Sequence, residues 1–194
     1  METEIKLSFS SPSAARKALR QAGFFIQIRR GFESNTLYDT PQGSLRAAGV
    51  VIRYRQWHGE HVITYKGPPR LKPGARAGSL HKQRVELETK VADGAPIVAT
   101  WEAAGLRPGF RYEKYRTVYA RQGERGHAML DETPIGTYVE LEGAASWIDG
   151  NARLLGFEPS EYIQLSYPAL QAEACRKLGI PFGDLVYSPA SKST

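Results

Sequence analysis

The chain holds a single cysteine, Cys175, so no disulfide can form within it and a disulfide-stapled scaffold is excluded. No apolar run approaches the roughly 18 residues that a membrane-spanning helix needs, and the opening Met1-Glu2-Thr3-Glu4 is acidic with no apolar h-region behind it. The four histidines, His58, His61, His81 and His127, show no metal-ligand spacing and read as surface or hairpin residues. No Gly-x-x-x-x-Gly-Lys-Ser/Thr occurs, so the phosphate cradle of a P-loop enzyme is absent. With 41% hydrophobic and 24% charged residues, the 194-residue chain has enough apolar material for a core, which excludes a largely disordered protein. The expectation is a soluble, cytoplasmic protein. An excess of 26 Lys+Arg over 20 Asp+Glu, a net +6, makes a polyanionic partner plausible without naming it.

What is present is alternation. Residues 2–9 place Ile5, Leu7 and Phe9 on one face and Glu2, Glu4, Lys6 and Ser8 on the other, the period of a half-buried strand. Ser11-Pro12 opens a helix that Gly23 closes. Residues 24–39 read as one or two strands and 41–49 as a turn with a short helical piece. Residues 50–57 and 60–66 read as a hairpin across His58-Gly59. A single strand is predicted over 81–91, a helix over about 95–104, and a three-strand meander over 110–122, 126–133 and 136–143. Helices follow at about 145–155 and 168–178. The predicted class is α+β, mainly antiparallel: an eight-stranded closed β-barrel with outer helices. Residues 1–187 are expected to form one domain, with 67–80 a basic Pro/Gly loop and 188–194 a flexible tail. Cys175, Trp57, Trp101 and Trp147 are read as packing residues.

The polar strand faces carry the chemistry. Taking every second residue gives seven acids (Glu2, Glu4, Glu86, Glu88, Asp131, Glu140, Glu142) and seven bases (Lys6, Arg53, Arg55, Lys66, Arg84, Lys114, Arg116). A solvated sheet face would explain any one strand. The set is harder to explain that way, because Glu-x-Glu occurs three times, and carboxylates two apart on a strand repel unless a cation stands between them. Acids and bases interleaved on faces that would line a barrel suit a cavity holding metal ions and phosphates together.

These motifs resemble, in order, those of the CYTH superfamily, the triphosphate tunnel metalloenzymes. Glu2-Thr3-Glu4-Ile5-Lys6 matches its Glu-x-Glu-x-Lys signature, and Leu37-Tyr38-Asp39-Thr40-Pro41 its Tyr-Asp-Thr-Pro segment. Arg53-Tyr54-Arg55, Thr64-Tyr65-Lys66-Gly67, Arg84-Val85-Glu86-Leu87-Glu88, Lys114-Tyr115-Arg116, Asp131 and Glu140-Leu141-Glu142-Gly143 complete the set, over about residues 2–167. Two departures stand out. Val51 replaces a Trp that thiamine triphosphatases of the family tend to carry, and Leu165-Ser166-Tyr167 stands where relatives often have Lys-Ser-Tyr.

The resemblance implies a tunnel that binds a triphosphate with magnesium or manganese. It assigns Glu2 and Glu4 to orienting or activating water, and Lys6, Arg53, Arg55, Lys66, Arg84, Lys114 and Arg116 to the triphosphate. It assigns Glu4, Glu86, Glu88, Asp131, Glu140 and Glu142 to metal. The expected activity is hydrolysis of tripolyphosphate, thiamine triphosphate or a nucleoside triphosphate; a class IV adenylate cyclase is the alternative. A second alternative is a non-catalytic polyanion- or RNA-binding module built on Arg70, Lys72, Arg76 and Lys82 beside Tyr38, Tyr54, Trp57 and Tyr65. The acids disfavour nucleic acid as the partner, since carboxylates repel phosphate without metal. No membrane partner is expected, and the assembly expected is a monomer or homodimer.

Overall fold

Alternation at residues 2–9 produces strand β1 (Glu2–Phe9), and the Ser11-Pro12 signal produces helix α1 (Pro12–Gln21). Ser11 Oγ caps that helix by accepting from the Ala14 N–H at 3.2 Å. A computed structural model describes residues 2–68 and 82–188; the basic loop lies there only through Gly67-Pro68, and the tail only through Ser188. The remaining elements are β2 (Phe25–Asp39), α2 (Ser44–Ala47), β3 (Val51–Trp57), β4 (Glu60–Lys66), β5 (Lys82–Arg84), β6 (Glu86–Val91), α3 (Ala95–Ala103), β7 (Arg107–Ala120), β8 (His127–Thr133), β9 (Gly136–Glu142), α4 (Ala145–Leu154) and α5 (Tyr167–Leu178). The α+β, antiparallel reading holds. Where the sequence predicts one strand over 81–91 the structure has two, interrupted at Val85, which raises eight strands to nine. Residues 24–39, left open between one strand and two, form one strand of 15 residues.

The described chain divides into two compact units. Among the described residues the first contains 2–31, 82–83 and 115–166, and the second 32–68, 84–114 and 167–188. Strands β2 and β7 give one half to each unit. In the first unit the hydrogen-bonded order is β5-β1-β9-β8-β7-β2; in the second it is β7-β2-β3-β4-β6. Among the described residues neither set is closed on itself by hydrogen bonds.

Register in the first unit sorts side chains by chemistry. Ile5 stands opposite Leu141 and Leu7 opposite Val139, while Leu141 and Val139 stand opposite Ala128 and Leu130. This face is dry: Ile5, Leu7, Leu130, Val139 and Leu141 are fully buried. Ala15 and Leu19 of α1 and Ile148 and Ala152 of α4 cover it. Trp147 fastens α4 by lying so close to Gly126 that a Cβ there would come within 2.4 Å of the indole. In the second unit the β3–β4 hairpin turns at His58 (φ 51°) and Gly59 (φ 74°), two consecutive left-handed residues as a two-residue hairpin turn of this hand requires. Tyr38 packs edge-on against Trp101 at 5.3 Å. A bridge from Tyr112 to Leu185 ties the segment after α5 onto β7. Cys175 is buried, as its helical setting predicts. No described helix is long and apolar enough to cross a membrane.

Leu130 tests the first core. Truncation to alanine is expected to cost about 3 kcal/mol by leaving a cavity in a covered sheet. The same change at Leu154, 59% exposed on α4, should stay within about 0.5 kcal/mol. Urea unfolding of the two variants beside the parent reads both values; similar costs at the two positions would contradict this placement of the core.

Candidate functional site

The polar side of the first unit is the mirror of its core. Because Ile5 and Leu7 face the helices, Glu4 and Lys6 must face the other way. Antiparallel pairing then sets Glu4 opposite Glu142, Lys6 opposite Glu140, and Arg116 opposite Asp131. The side chains complete what the register begins. Lys6 Nζ lies 3.2 Å from Glu140 Oε1 and 3.6 Å from Glu4 Oε1. Arg116 grips Asp131 with both arms of its fork, Nε to Oδ1 at 2.7 Å and Nη2 to Oδ2 at 2.6 Å, and Nη2 also donates to Glu140 Oε2. Lys6, Arg116, Asp131 and Glu140 are all buried. The Lys6 backbone is fixed as well, exchanging two hydrogen bonds of 2.9 Å with Ile163.

Burial alone would push the Lys6 ammonium below its ordinary value. Glu4 and Glu140, through charge and the Glu140 hydrogen bond, and then Asp131, reverse that and hold it above the lysine range. Lys6 is therefore charged at any neutral pH.

The second unit carries a separate cluster on the shared polar face of β3, β4 and β6. Arg53 stands opposite Thr64, and Thr64 opposite Glu88. Arg53 donates to Thr64 Oγ1 at 3.0 Å, to the Tyr112 hydroxyl at 3.3 Å and to Glu88 Oε2 at 3.3 Å. Glu88 turns its other oxygen to Arg55 Nη2 at 2.9 Å, so one carboxylate joins two guanidinium groups. Lys66 Nζ meets Glu86 Oε2 at 3.0 Å. Burial opposes the charge on Arg53, but the Tyr112 hydroxyl, Glu33 and Glu88 outweigh it and raise its affinity for the proton above the usual arginine value. Nε of Arg55 and Nε of Arg84 are buried and make no hydrogen bond among the described residues. A phosphate oxygen is the kind of acceptor such donors take.

Of the fourteen side chains expected at the site, thirteen are described; that of Glu2 lies outside the described residues. Glu4, Lys6, Arg116, Asp131, Glu140 and Glu142 belong to the first unit, and Arg53, Arg55, Lys66, Arg84, Glu86, Glu88 and Lys114 to the second. Carboxylate oxygens are the donors that hard divalent cations prefer. Glu4 and Glu142 are like charges opposite each other in register, an arrangement that favours a cation between them, and Glu4 also approaches the Lys6 ammonium at 3.6 Å. Asp131 and Glu140 have oxygens held by Arg116 and Lys6, and among the described residues no three acidic, histidine or cysteine side chains form a metal-sized group.

Four residues outside the sequence-based set also take part. Thr64 and Tyr112 hold Arg53. Glu33 and Lys114 approach to 3.4 Å, and the Tyr167 ring lies 4.8 Å from Lys114 Nζ. Glu33 shares its strand parity with Asn35, and Asn35 stands opposite Arg55 on β3. That pairing, which the sequence alone does not state, is what brings Glu33 into the set. Of the aromatics proposed for a nucleic-acid face, Tyr38 is buried on Trp101 and Tyr54 stacks on His61, accepting or donating one hydrogen bond at its Nδ1. The bases Arg70, Lys72 and Arg76 proposed with them, and His81, lie outside the described residues, as does the side chain of Lys82.

Relatives bear on both clusters. A protein of Methanocaldococcus jannaschii named "putative adenylate cyclase" is 24% identical over 156 residues, spanning 80% of this chain and 83% of its own length. A solved structure from Vibrio parahaemolyticus, titled as that of a "putative adenylate cyclase", superposes with a TM-score of 0.71 at 20% identity, covering 88% of this chain and 97% of the other. Another, from Hippeastrum, superposes with a TM-score of 0.60 at 19% identity, covering 93% and 97%; its title gives it as a "putative adenylyl cyclase" with a dominant triphosphatase activity. At these identities the two structures speak to the fold. The model of the CYTH domain matches residues 1–149, which include both clusters in their expected order, and the chain belongs to the CYTH domain family.

Proposed function

We propose that the chain is a divalent-metal-dependent triphosphatase. The observation that carries this reading is the interleaving of carboxylates with guanidinium and ammonium groups on polar strand faces, the buried Lys6–Glu140–Arg116–Asp131 set in one unit and the partly exposed Arg53–Glu88–Arg55 set in the other. A linear triphosphate carries several negative charges on a flexible chain, and planar guanidinium forks suit its oxygens. In the second unit Arg53, Arg55, Arg84, Lys66 and Lys114 are suited to that grip, and in the first unit Lys6 and Arg116 are. Glu4 and Glu142 would hold the metal, with Glu2 two residues earlier on the same strand; bound there, a divalent cation would neutralise developing charge on phosphate and lower the pKa of water.

Glu4 is the carboxylate suited to handle water. Its side chain is 20% exposed, against 8% for Glu140 and 0% for Asp131. In hydrolysis the water oxygen bonds to the terminal phosphorus, the bridging P–O bond breaks, diphosphate leaves, and the water proton passes to Glu4. The transition state asks mainly for alignment and charge neutralisation. A cyclase directs a ribose hydroxyl to the α-phosphorus with diphosphate leaving, which additionally demands a bound nucleoside. The names of the Methanocaldococcus and Vibrio relatives favour keeping this second reading, and the Hippeastrum title favours the first.

Purified protein with magnesium or manganese is expected to release phosphate from tripolyphosphate and from ATP, and EDTA should abolish the release. Cyclic AMP and diphosphate from ATP, with tripolyphosphate untouched, would install the cyclase reading instead. Glu4→Gln and Lys66→Ala, one from each unit, should each lower kcat/KM by about 100-fold or more, since each removes a charge from its own unit's cluster. Circular dichroism of both variants should match the parent. Normal turnover by both would remove these clusters from the site.

A further inference from the structure

Glu33 has no part in the assignments above, yet it is fully buried on β2 in the middle of the second unit's charges. Its Oε1 accepts from Asn35 Nδ2 at 2.9 Å and lies 3.4 Å from Lys114 Nζ. Lys114 is itself 2% exposed, and Tyr167 at the start of α5 sets its ring face 4.8 Å from the ammonium. Strand β2 addresses this ammonium with a carboxylate and α5 with a π face. Resting on the triphosphate reading, we propose that Glu33 is the positioning residue of Lys114: it fixes the ammonium for the phosphate chain and does not itself touch substrate.

Three physical points support this. A carboxylate with no exposure, already accepting from Asn35, is badly placed to meet phosphate, whose like charge would repel it. A lysine stem has rotamer freedom to lose on engaging a ligand, and a partner that holds it beforehand removes much of that loss. A buried ammonium also needs an opposite charge within a few ångströms, or its desolvation goes uncompensated. Asn35 serves the same end, because its amide fixes the Glu33 carboxylate through a hydrogen bond two residues along the same strand face.

The test is a double-mutant cycle on tripolyphosphate hydrolysis with manganese, reading KM and kcat separately. Lys114→Met should raise KM by about 30-fold and Glu33→Gln by about tenfold, with kcat of Glu33→Gln within about threefold of the parent. Because Glu33 acts through Lys114, the double variant should have a KM within about twofold of Lys114→Met alone. The double variant has a neutral pair at the site, so it serves if Glu33→Gln alone fails to fold. If the two effects multiply, or if Glu33→Gln lowers kcat and leaves KM unchanged, Glu33 does not act through Lys114 and the proposal is overturned while the triphosphatase reading stands. An unchanged KM in Lys114→Met overturns it as well. A parent without activity on any triphosphate overturns the functional reading and this proposal with it.

Discussion

Taking an ion out of water costs several kcal/mol even after the protein relaxes around it, and that cost decides which charges can sit where. In this chain Lys6, Arg53, Lys114, Arg116, Glu33, Asp131 and Glu140 are all buried. Each has an opposite charge within about 4 Å, and the partners come from different strands: β1 with β9, β7 with β8 and β9, β3 with β6, β2 with β7. The pairs thereby do more than stabilise. Loss of one member leaves an uncompensated ion, so each pair demands that its strands hold their register. The dry face of the first unit enforces the same register independently, through Ile5, Leu7, Val139 and Leu141.

A site built this way is held together by interactions that a polyphosphate could exchange for its own. Glu88 occupies both Arg53 and Arg55, and Glu86 occupies Lys66. Under the proposed function a phosphate chain would compete for the same donors, and a divalent cation for the same carboxylates. Metal and triphosphate arriving together would offer new partners to acids and bases alike, so neither sign would be left uncompensated. Either one arriving alone would strand half the set. This symmetry gives a physical reason for acids and bases to appear in matched numbers on such faces.

Much of this is legible in the sequence because strand parity is strict. Once Ile5 and Leu7 are read as inward, Glu4 and Lys6 can only be on the opposite face, and the same holds for Arg53 with Arg55 and for Glu140 with Glu142. Which acid meets which base is a different matter. Arg116 takes Asp131 and Glu140 because β7, β8 and β9 are neighbours, which no local pattern states. Glu33 and Asn35 are hidden for a related reason. They lie in a 15-residue strand whose first half, with Phe25, Ile26 and Ile28 all exposed, shows no clean alternation to fix parity. The interruption at Val85 is equally silent, since Arg84-Val85-Glu86-Leu87-Glu88 keeps a perfect period of two while the ladder breaks.

The two-residue turn at His58-Gly59 acts as a ruler. It sets how many residues separate Arg53 and Arg55 on one arm of the hairpin from Thr64 and Lys66 on the other. Lengthening it by one residue would move Thr64 and Lys66 to the face now occupied by Ile63 and Tyr65, turning the whole outgoing strand inside out. Lengthening it by two would preserve the face. Length variation at this turn is thus constrained to even steps by chemistry seven residues away, and the shortest loop of the second unit is one of the least free to change.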